Sequence, residues 1–249
     1  MKKPTMGTFF ELGGRGAMEA LCRSGLDYVI IDTEHGCFSE ETAADLILAA
    51  ERGGLLPYVR IGDIRRPYVL RMADIGARGL VVPNIRSAEQ VRELVSYAKF
   101  PPLGNRGYCP NRTSGWGFDG WAQDTAGYMA ACNDRLKLIP QCETAEALKQ
   151  IEEIASIDGV DGIFVGPCDL SIALGIPLQF DNPLLTDAIE RILAACRSHG
   201  KEAYIFAGNM PDALKWARRG FDSIAYSLDA GVYIQAWQSV VTGLREGLE

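Results

Sequence analysis

Two acidic residues frame the chemistry this sequence could do. Glu143 follows the run at 136–141 (LKLIPQ), and Asp169 follows 162–166 (GIFVG). Both stand where a buried strand should give way to a helix. Two carboxylates with few nitrogen ligands suit a hard cation such as Mg²⁺ or Mn²⁺, with positions left for water and substrate. The ordinary alternative is an acid in the first turn of each following helix, and the two uses are compatible. Gln141, beside Glu143, and Gly166, Pro167 and Cys168, beside Asp169, share these strand ends.

His35 and Arg60 are the other two candidates. His35 follows 28–32 (YVIID) and is flanked by Glu34 and Gly36, a setting that suits an acid/base imidazole as well as a structural one. The second histidine, His199, precedes Gly200 at a helix end, where it complements the helix dipole. Arg60 closes Tyr58-Val59-Arg60. A guanidinium there binds a carboxylate or oxyanion, or pairs with Asp32 or Glu143. Cys168 has no histidine nearby in sequence to activate it, so it reads as a packed residue. Gly13-Gly14-Arg15-Gly16 matches neither a Walker loop nor a dinucleotide fingerprint. Lys137 and Lys201 begin strands, leaving no lysine at a strand end for imine chemistry.

Something must hold these residues together, and the rhythm of the chain indicates what. Apolar runs at 8–12, 28–32, 56–61, 79–83, 136–141, 162–166, 203–207 and 223–227 read as strands buried on both faces. Helical patterns at 17–24, 40–52, 67–75, 88–98, 145–155, 183–199 and 211–219 alternate with them, and 229–248 reads as a last amphipathic helix. Ser39, Ser87 and Thr144 are expected N-caps, and Gly53, Gly76, Gly200 and Gly220 are expected C′ glycines. The pattern predicts an α/β fold: one closed (β/α)₈ barrel, a single domain over 1–249, with an open doubly wound sheet as the alternative. In such a barrel the strand C-termini carry the active site, which gathers the candidates above. The Gly-, Pro- and aromatic-rich stretch 101–121 breaks the rhythm. It predicts a lid or a packed insertion, with Tyr108, Trp116, Phe118 and Trp121 either roofing a pocket or pinning the loop down.

Composition narrows the partners. A net charge of −7 argues against a nucleic-acid ligand, and no apolar run approaches a membrane span. Seven cysteines without a C-x-x-C pair indicate neither a zinc ribbon nor a disulfide scaffold. The start lacks the apolar core of a signal peptide, so the cytoplasm is the expected location.

The stretches DYVIIDTEHG (27–36), YVRIGD (58–63), DIGARGLVVPNIRSAEQ (74–90), PPLGNRGY (101–108), QCETAEAL (141–148) and GVDGIFVGPCDLSIALG (159–175) carry a resemblance. Together the chain resembles the class II, metal-dependent pyruvate aldolases of the HpcH/HpaI family, which act on hydroxy-oxo-heptanedioate and dehydro-deoxy-glucarate type substrates, over roughly residues 7–230. The resemblance implies a barrel of the phosphoenolpyruvate/pyruvate type. It implies Glu143 and Asp169 as ligands of Mg²⁺, Mn²⁺ or Co²⁺, and Arg60 as the group steadying the keto oxygen of a 2-oxo acid. His35, oriented by Asp32 or Asp74, would move the aldol proton, and Gln141 with Gly166, Pro167, Cys168 and Asp169 would position substrate. It also implies a homo-oligomer, a hexamer or trimer, with the last helix between subunits. Cys168 replaces the family's usual alanine, Phe9 or Phe10 its usual tryptophan, and YCPNRTSGWGFDG (108–120) its usual loop. Those departures leave the aldehyde partner open. Oxaloacetate decarboxylation, acyl-CoA cleavage and mere binding of a 2-oxo acid are the rival readings.

Overall fold

The computed structural model describes residues 3–248. Eight parallel strands close into a barrel in sequence order, with β8 pairing back to β1. In chain order they are β1 (Thr5–Phe10), β2 (Tyr28–Asp32), β3 (Leu56–Arg60), β4 (Gly79–Val82), β5 (Lys137–Cys142), β6 (Gly162–Val165), β7 (Glu202–Ala207) and β8 (Ser223–Leu228). Around them run α1 (Arg15–Leu21), α2 (Glu40–Gly53), α3 (Arg66–Asp74), α4 (Ala88–Ala98), α5 (Thr125–Arg135), α6 (Ala145–Lys149), α7 (Ile151–Ser156), α8 (Pro167–Ala173), α9 (Pro183–Ser198), α10 (Met210–Arg219) and α11 (Asp229–Glu246). The closed barrel agrees with the sequence expectation, and the open-sheet alternative falls.

Local signals explain most of the boundaries. The side chains of Ser39, Ser87 and Thr144 accept from the backbone N–H of Thr42, Gln90 and Ala147, so all three caps form. Gly53 is a correction: it is the last residue of α2, and Gly54 takes the left-handed conformation instead. The helix expected at 145–155 is interrupted at Gln150, whose amide caps the start of α4 by accepting from Ala88 N–H. The helices α5 and α8 were not foreseen.

Two apolar layers hold the barrel. The larger lies between sheet and helices and takes in Val29, Ile31, Leu46, Val59, Leu80, Leu138 and Val165. The smaller fills the barrel itself. With side chains alternating across each strand, residues two apart point inward: Gly7, Phe9 and Glu11 on β1 and its extension, Tyr28, Ile30 and Asp32 on β2, Tyr58 and Arg60 on β3. At the N-terminal end, Tyr28 and Tyr58 stack at 5.0 Å and Tyr204 meets them edge-on at 6.3 and 6.4 Å. Space for the three rings comes from glycines. A Cβ on Gly7 would lie 2.2 Å from Tyr28, and one on Gly79 or Gly162 would lie 2.7 Å from Tyr58 or Tyr204. Above the tyrosines come Phe9, Ile30, Val81, Ile139 and Phe164. The barrel is thus solid from its base to the level where the strands end.

The long segment between α4 and α5 does not reach the barrel mouth. It leaves from the C-terminus of α4 and folds across the opposite end, where Arg112 pairs with Glu51 and donates to the carbonyl of Ile75 at 3.3 Å. Of its aromatics, Trp121 packs on Tyr128 at 4.9 Å, while Trp116 and Phe118 are exposed. It is a packed insertion at the far face, so the lid reading is withdrawn. No helix among the described residues is long and apolar enough to cross a membrane.

Gly7→Ala is expected to destabilise the fold by about 1–3 kcal/mol, because the methyl must displace a ring in a full core. Gly16, in α1, has no neighbour within 4 Å of an added Cβ. Gly16→Ala should be neutral or stabilise by up to about 1 kcal/mol. Urea unfolding of the two variants checks the contrast, and equal effects would contradict the packing account.

Candidate active site

At the C-terminal end of the strands a cavity of about 300 Å³ opens above Phe9, Phe164, Phe206 and Leu228. Its polar wall is Glu11, His35, Arg60, Gln141, Glu143 and Asp169, with Gly166, Pro167 and Cys168 along one side. Every residue singled out at the ends of β3, β5 and β6 therefore meets here. No lysine is among the lining residues. Lys137 sits at the other end, paired with Glu202, and Lys201 donates to the carbonyls of Ile157 and Val160.

Asp32 organises one side. It is wholly buried and lies opposite Arg60 in the register of β2 and β3. Arg60 Nε donates to Asp32 Oδ1 at 2.9 Å, and Nη2 donates to the other oxygen. The backbone N–H groups of Glu34 and His35 complete the shell of Asp32 Oδ1 at 3.0 and 3.2 Å. Burial by itself would raise this carboxyl, but the Arg60 bond and charge outweigh it and hold it below the usual range. Arg60 in turn lies over the Phe9 ring at 4.6 Å, 3.4 Å from Glu34. Of the partners considered for Arg60 on sequence, Asp32 is the one taken.

That arrangement corrects the expected orientation of His35. Asp32 holds its backbone, not its imidazole. The ring stands at the rim, with its Nε2 3.9 Å from Glu34 and its side chain 65 % exposed. Asp74 stands apart from this cavity within the chain. It ends α3 at the opposite face of the barrel, where it accepts from Arg106 Nη2 at 2.7 Å and from Asn111 at 3.1 Å. A residue at the C-terminus of a barrel helix faces the strand N-termini, so within one chain Asp74 cannot reach His35.

The deep wall belongs to Glu143. Asn84, in a left-handed conformation after β4, donates its N–H to Glu143 Oε1 at 2.6 Å, and Gln141 Nε2 donates to Oε2 at 2.7 Å. Gly166 faces it closely enough that a Cβ would come within 2.7 Å of Oε2. Burial, followed by the like charges of Asp169 and Glu34, lifts the Glu143 carboxyl to about 7 despite the Asn84 bond. Gln141 Oε1 is buried without a partner.

These observations bear on a metal ion. Among the described residues no three His, Cys, Asp or Glu groups converge tightly enough to hold one by themselves. Glu143 and Asp169 supply two oxygen donors at one cavity wall, their mutual repulsion is what a divalent cation relieves, and Gly166 leaves room beside them. The donor set fits a hard cation whose shell is completed by substrate and water.

Sequence reading missed Glu11, Glu34 and Asn84. Burial and the adjacent Asp32 raise the Glu11 carboxyl, and burial raises Glu34. Glu11 was legible in principle, since Gly7, Phe9 and Glu11 share one inward-facing period of two. Asn84 works through its backbone and leaves no side-chain signal.

The model of a family described as HpcH/HpaI aldolase/citrate lyase matches residues 6–236. A 2-keto-3-deoxy-L-rhamnonate aldolase of Klebsiella pneumoniae is 34 % identical over 220 residues, 88 % of this chain and 80 % of that protein. A hydroxypyruvate/pyruvate aldolase of Rhizorhabdus wittichii is 30 % identical over 245 residues, 98 % of this chain and 95 % of its own length. The solved structure of an HpcH/HpaI aldolase/citrate lyase family protein from Burkholderia cenocepacia superposes with a TM-score of 0.90 at 30 % identity, covering 98 % of this chain and 95 % of that one.

Glu143 allows a test without any metal. Its folded carboxyl keeps a proton up to about 7, against 4.5 for the free side chain. Between those values the folded chain binds more protons than the unfolded one, so this group's contribution falls as pH rises and its full cost applies above 7. Glu143→Gln is therefore expected to stabilise the EDTA-treated protein by about 1–3 kcal/mol at pH 8.5 and to change little near pH 5. Denaturation at the two pH values decides; a loss at both would mean that the bonds to Asn84 and Gln141 outweigh the buried charge.

Proposed function

Because the chain belongs to the HpcH/HpaI aldolase/citrate lyase family, we propose that this cavity cleaves a 4-hydroxy-2-oxo acid into pyruvate and an aldehyde. The protein is a carbon–carbon lyase. The observation that carries the assignment is the joint presence of Arg60, Glu143 and Asp169 in a cavity with no lysine. An imine route needs that lysine; an enolate route needs positive charge at the keto oxygen.

Glu143 and Asp169 would hold the cation, with Mg²⁺, Mn²⁺ and Co²⁺ as candidates. When bound, it supplies positive charge to the oxygens of the 2-oxo acid. Arg60 adds a fixed guanidinium, aimed by Asp32 and backed by Phe9, for the charge that grows on the C2 oxygen. Cleavage removes the proton of the C4 hydroxyl, breaks C3–C4 and leaves the bonding pair in the pyruvate enolate, which then takes a proton at C3. His35, at the rim with its side chain open to solvent, would move the hydroxyl proton. Gln141 Oε1, buried and without a protein partner, offers an acceptor to a substrate hydroxyl or a water. The apolar surface of Phe206 and Leu228 and the carboxyl of Glu11 in the cavity lining offer nothing to a second anionic group. That lining favours a hydroxylated, uncharged aldehyde over one bearing a second carboxylate.

Assembly and location complete the reading. None of the residues of α11 is buried, and Tyr233, Trp237 and Leu244 are each more than half exposed. This helix is the contact expected to hold a homo-oligomer together, hexamer or trimer. Seven unpaired cysteines suit the cytoplasm.

Pyruvate C3-proton exchange in D₂O, followed by NMR, tests the function. Exchange is expected with Mn²⁺ or Mg²⁺ and should stop with EDTA; no exchange with metal present would overturn the enolate assignment. Arg60→Ala is expected to lower kcat by about 10²–10³-fold, as loss of one oxyanion-stabilising donor does. A near-normal kcat would remove Arg60 from that role. Trp237→Glu should shift the sedimentation coefficient towards smaller species, and an unchanged value would place the subunit contact elsewhere.

A further inference from the structure

A second cavity, of about 230 Å³, lies at the end of the barrel opposite the mouth. It sits under the long insertion, between the turn leading into β4 and the end of α5. Four arginines line it: Arg78 from that turn, Arg106 and Arg112 from the insertion, and Arg135 from the end of α5. Glu51 is the one acidic residue in the lining, and it pairs with Arg112. Arg106 is paired from outside by Asp74. Arg78 and Arg135 form no ion pair among the described residues, so two guanidinium groups line the cavity with no carboxylate in contact, Glu51 acting on Arg78 only from a distance.

The arginines are built into this place. Arg106 is 7 % exposed, lies over the Phe100 ring at 4.9 Å and keeps a buried Nε with no hydrogen-bond partner. Arg78 likewise has a buried Nε without a partner. Arg135 rests over Trp121 at 5.2 Å, which fixes its plane. At Gly76, with φ of 106°, a Cβ would come within 2.4 Å of Arg112 Nη1, so the glycine is what lets that guanidinium lie across the turn. Burial first, then the like charge of Arg135, pulls the Arg78 guanidinium below its ordinary range. Buried polar groups nearly always find partners, and clustered guanidinium groups with free N–H donors match tetrahedral oxyanions.

We infer that this cavity is a binding site for a small dianionic oxyanion, a phosphate either free or as the terminal group of an ester, separate from the catalytic mouth. Two unpaired charges match a dianion. The volume falls below the roughly 300–1,000 Å³ usual for drug-sized ligands, which favours a compact group. The cavity lies where three segments meet: the turn before β4, the insertion and the end of α5. An occupied site would tie the insertion to the barrel floor.

The test is calorimetric titration of the full chain with inorganic phosphate, with EDTA present and ionic strength held constant with NaCl. Saturable binding at one site per chain is expected. It should weaken by about tenfold or more in Arg78→Gln and in Arg135→Gln, since each removes a charge-assisted contact. Arg60→Gln, at the mouth, should bind phosphate like the parent chain. Arg135 is exposed, so its variant keeps the test valid should Arg78→Gln fail to fold. Glycerol 3-phosphate, titrated in parallel, distinguishes the sources: tighter binding than phosphate assigns the site to an ester, weaker binding to the free ion. Absence of saturable binding in the parent chain would overturn the inference. So would binding abolished by Arg60→Gln and untouched by Arg135→Gln.

Discussion

A fully buried carboxylate is tolerated in this barrel because one guanidinium meets it with two hydrogen bonds. Removing a charge such as Asp32 from water costs several kcal/mol unless its acceptors are filled, and here Arg60 and two backbone N–H groups fill them. The pair then constrains everything around it. It fixes Arg60 to one direction above Phe9. It shapes the turn after β2, and through that turn it sets where Glu34 and His35 stand. Because Asp32 already takes Arg60, the acids left at the mouth are Glu11, Glu34, Glu143 and Asp169, and their crowding shows in the raised Glu143 carboxyl. The acidic pocket that suits a divalent cation follows from a salt bridge made below it.

Much of this was legible in the sequence, for reasons that can be named. Strands buried on both faces appear as apolar runs, and capping residues mark the helices that return between them. Closure of the barrel followed from the count and order of those runs. Arg60, Gln141, Glu143 and Asp169 stood out because a charged or amide side chain at the end of an apolar run has few ordinary explanations. Glu11 was hidden by a weak first strand whose register was set a few residues late. Glu34 was passed over beside the more conspicuous His35. Asn84 acts through a backbone N–H, which no residue type announces. Asp74 ends a helix, so within its own chain it faces the strand N-termini, away from His35.

Of the two readings of the insertion, lid or packed segment, the second holds for a related reason. Aromatic and glycine-rich loops are expected near substrate, yet direction decides the matter: a segment that leaves the C-terminus of a helix starts from the face where strands begin. Its arginines thus gather opposite the carboxylates.

The tyrosine plug and its glycine hollows have a kinetic consequence. A barrel filled solid to the height of Phe9 and Phe164 has no rear exit, so traffic within one chain passes through a single opening. Glu143 and Gln141 lie at the inner end of that passage, 7 % and 2 % exposed, and His35 lies at its rim. Whatever binds at the inner end must enter before its partner and depart after it. Ordered release, with the outer fragment leaving first, is thus written into the packing of residues that touch neither product.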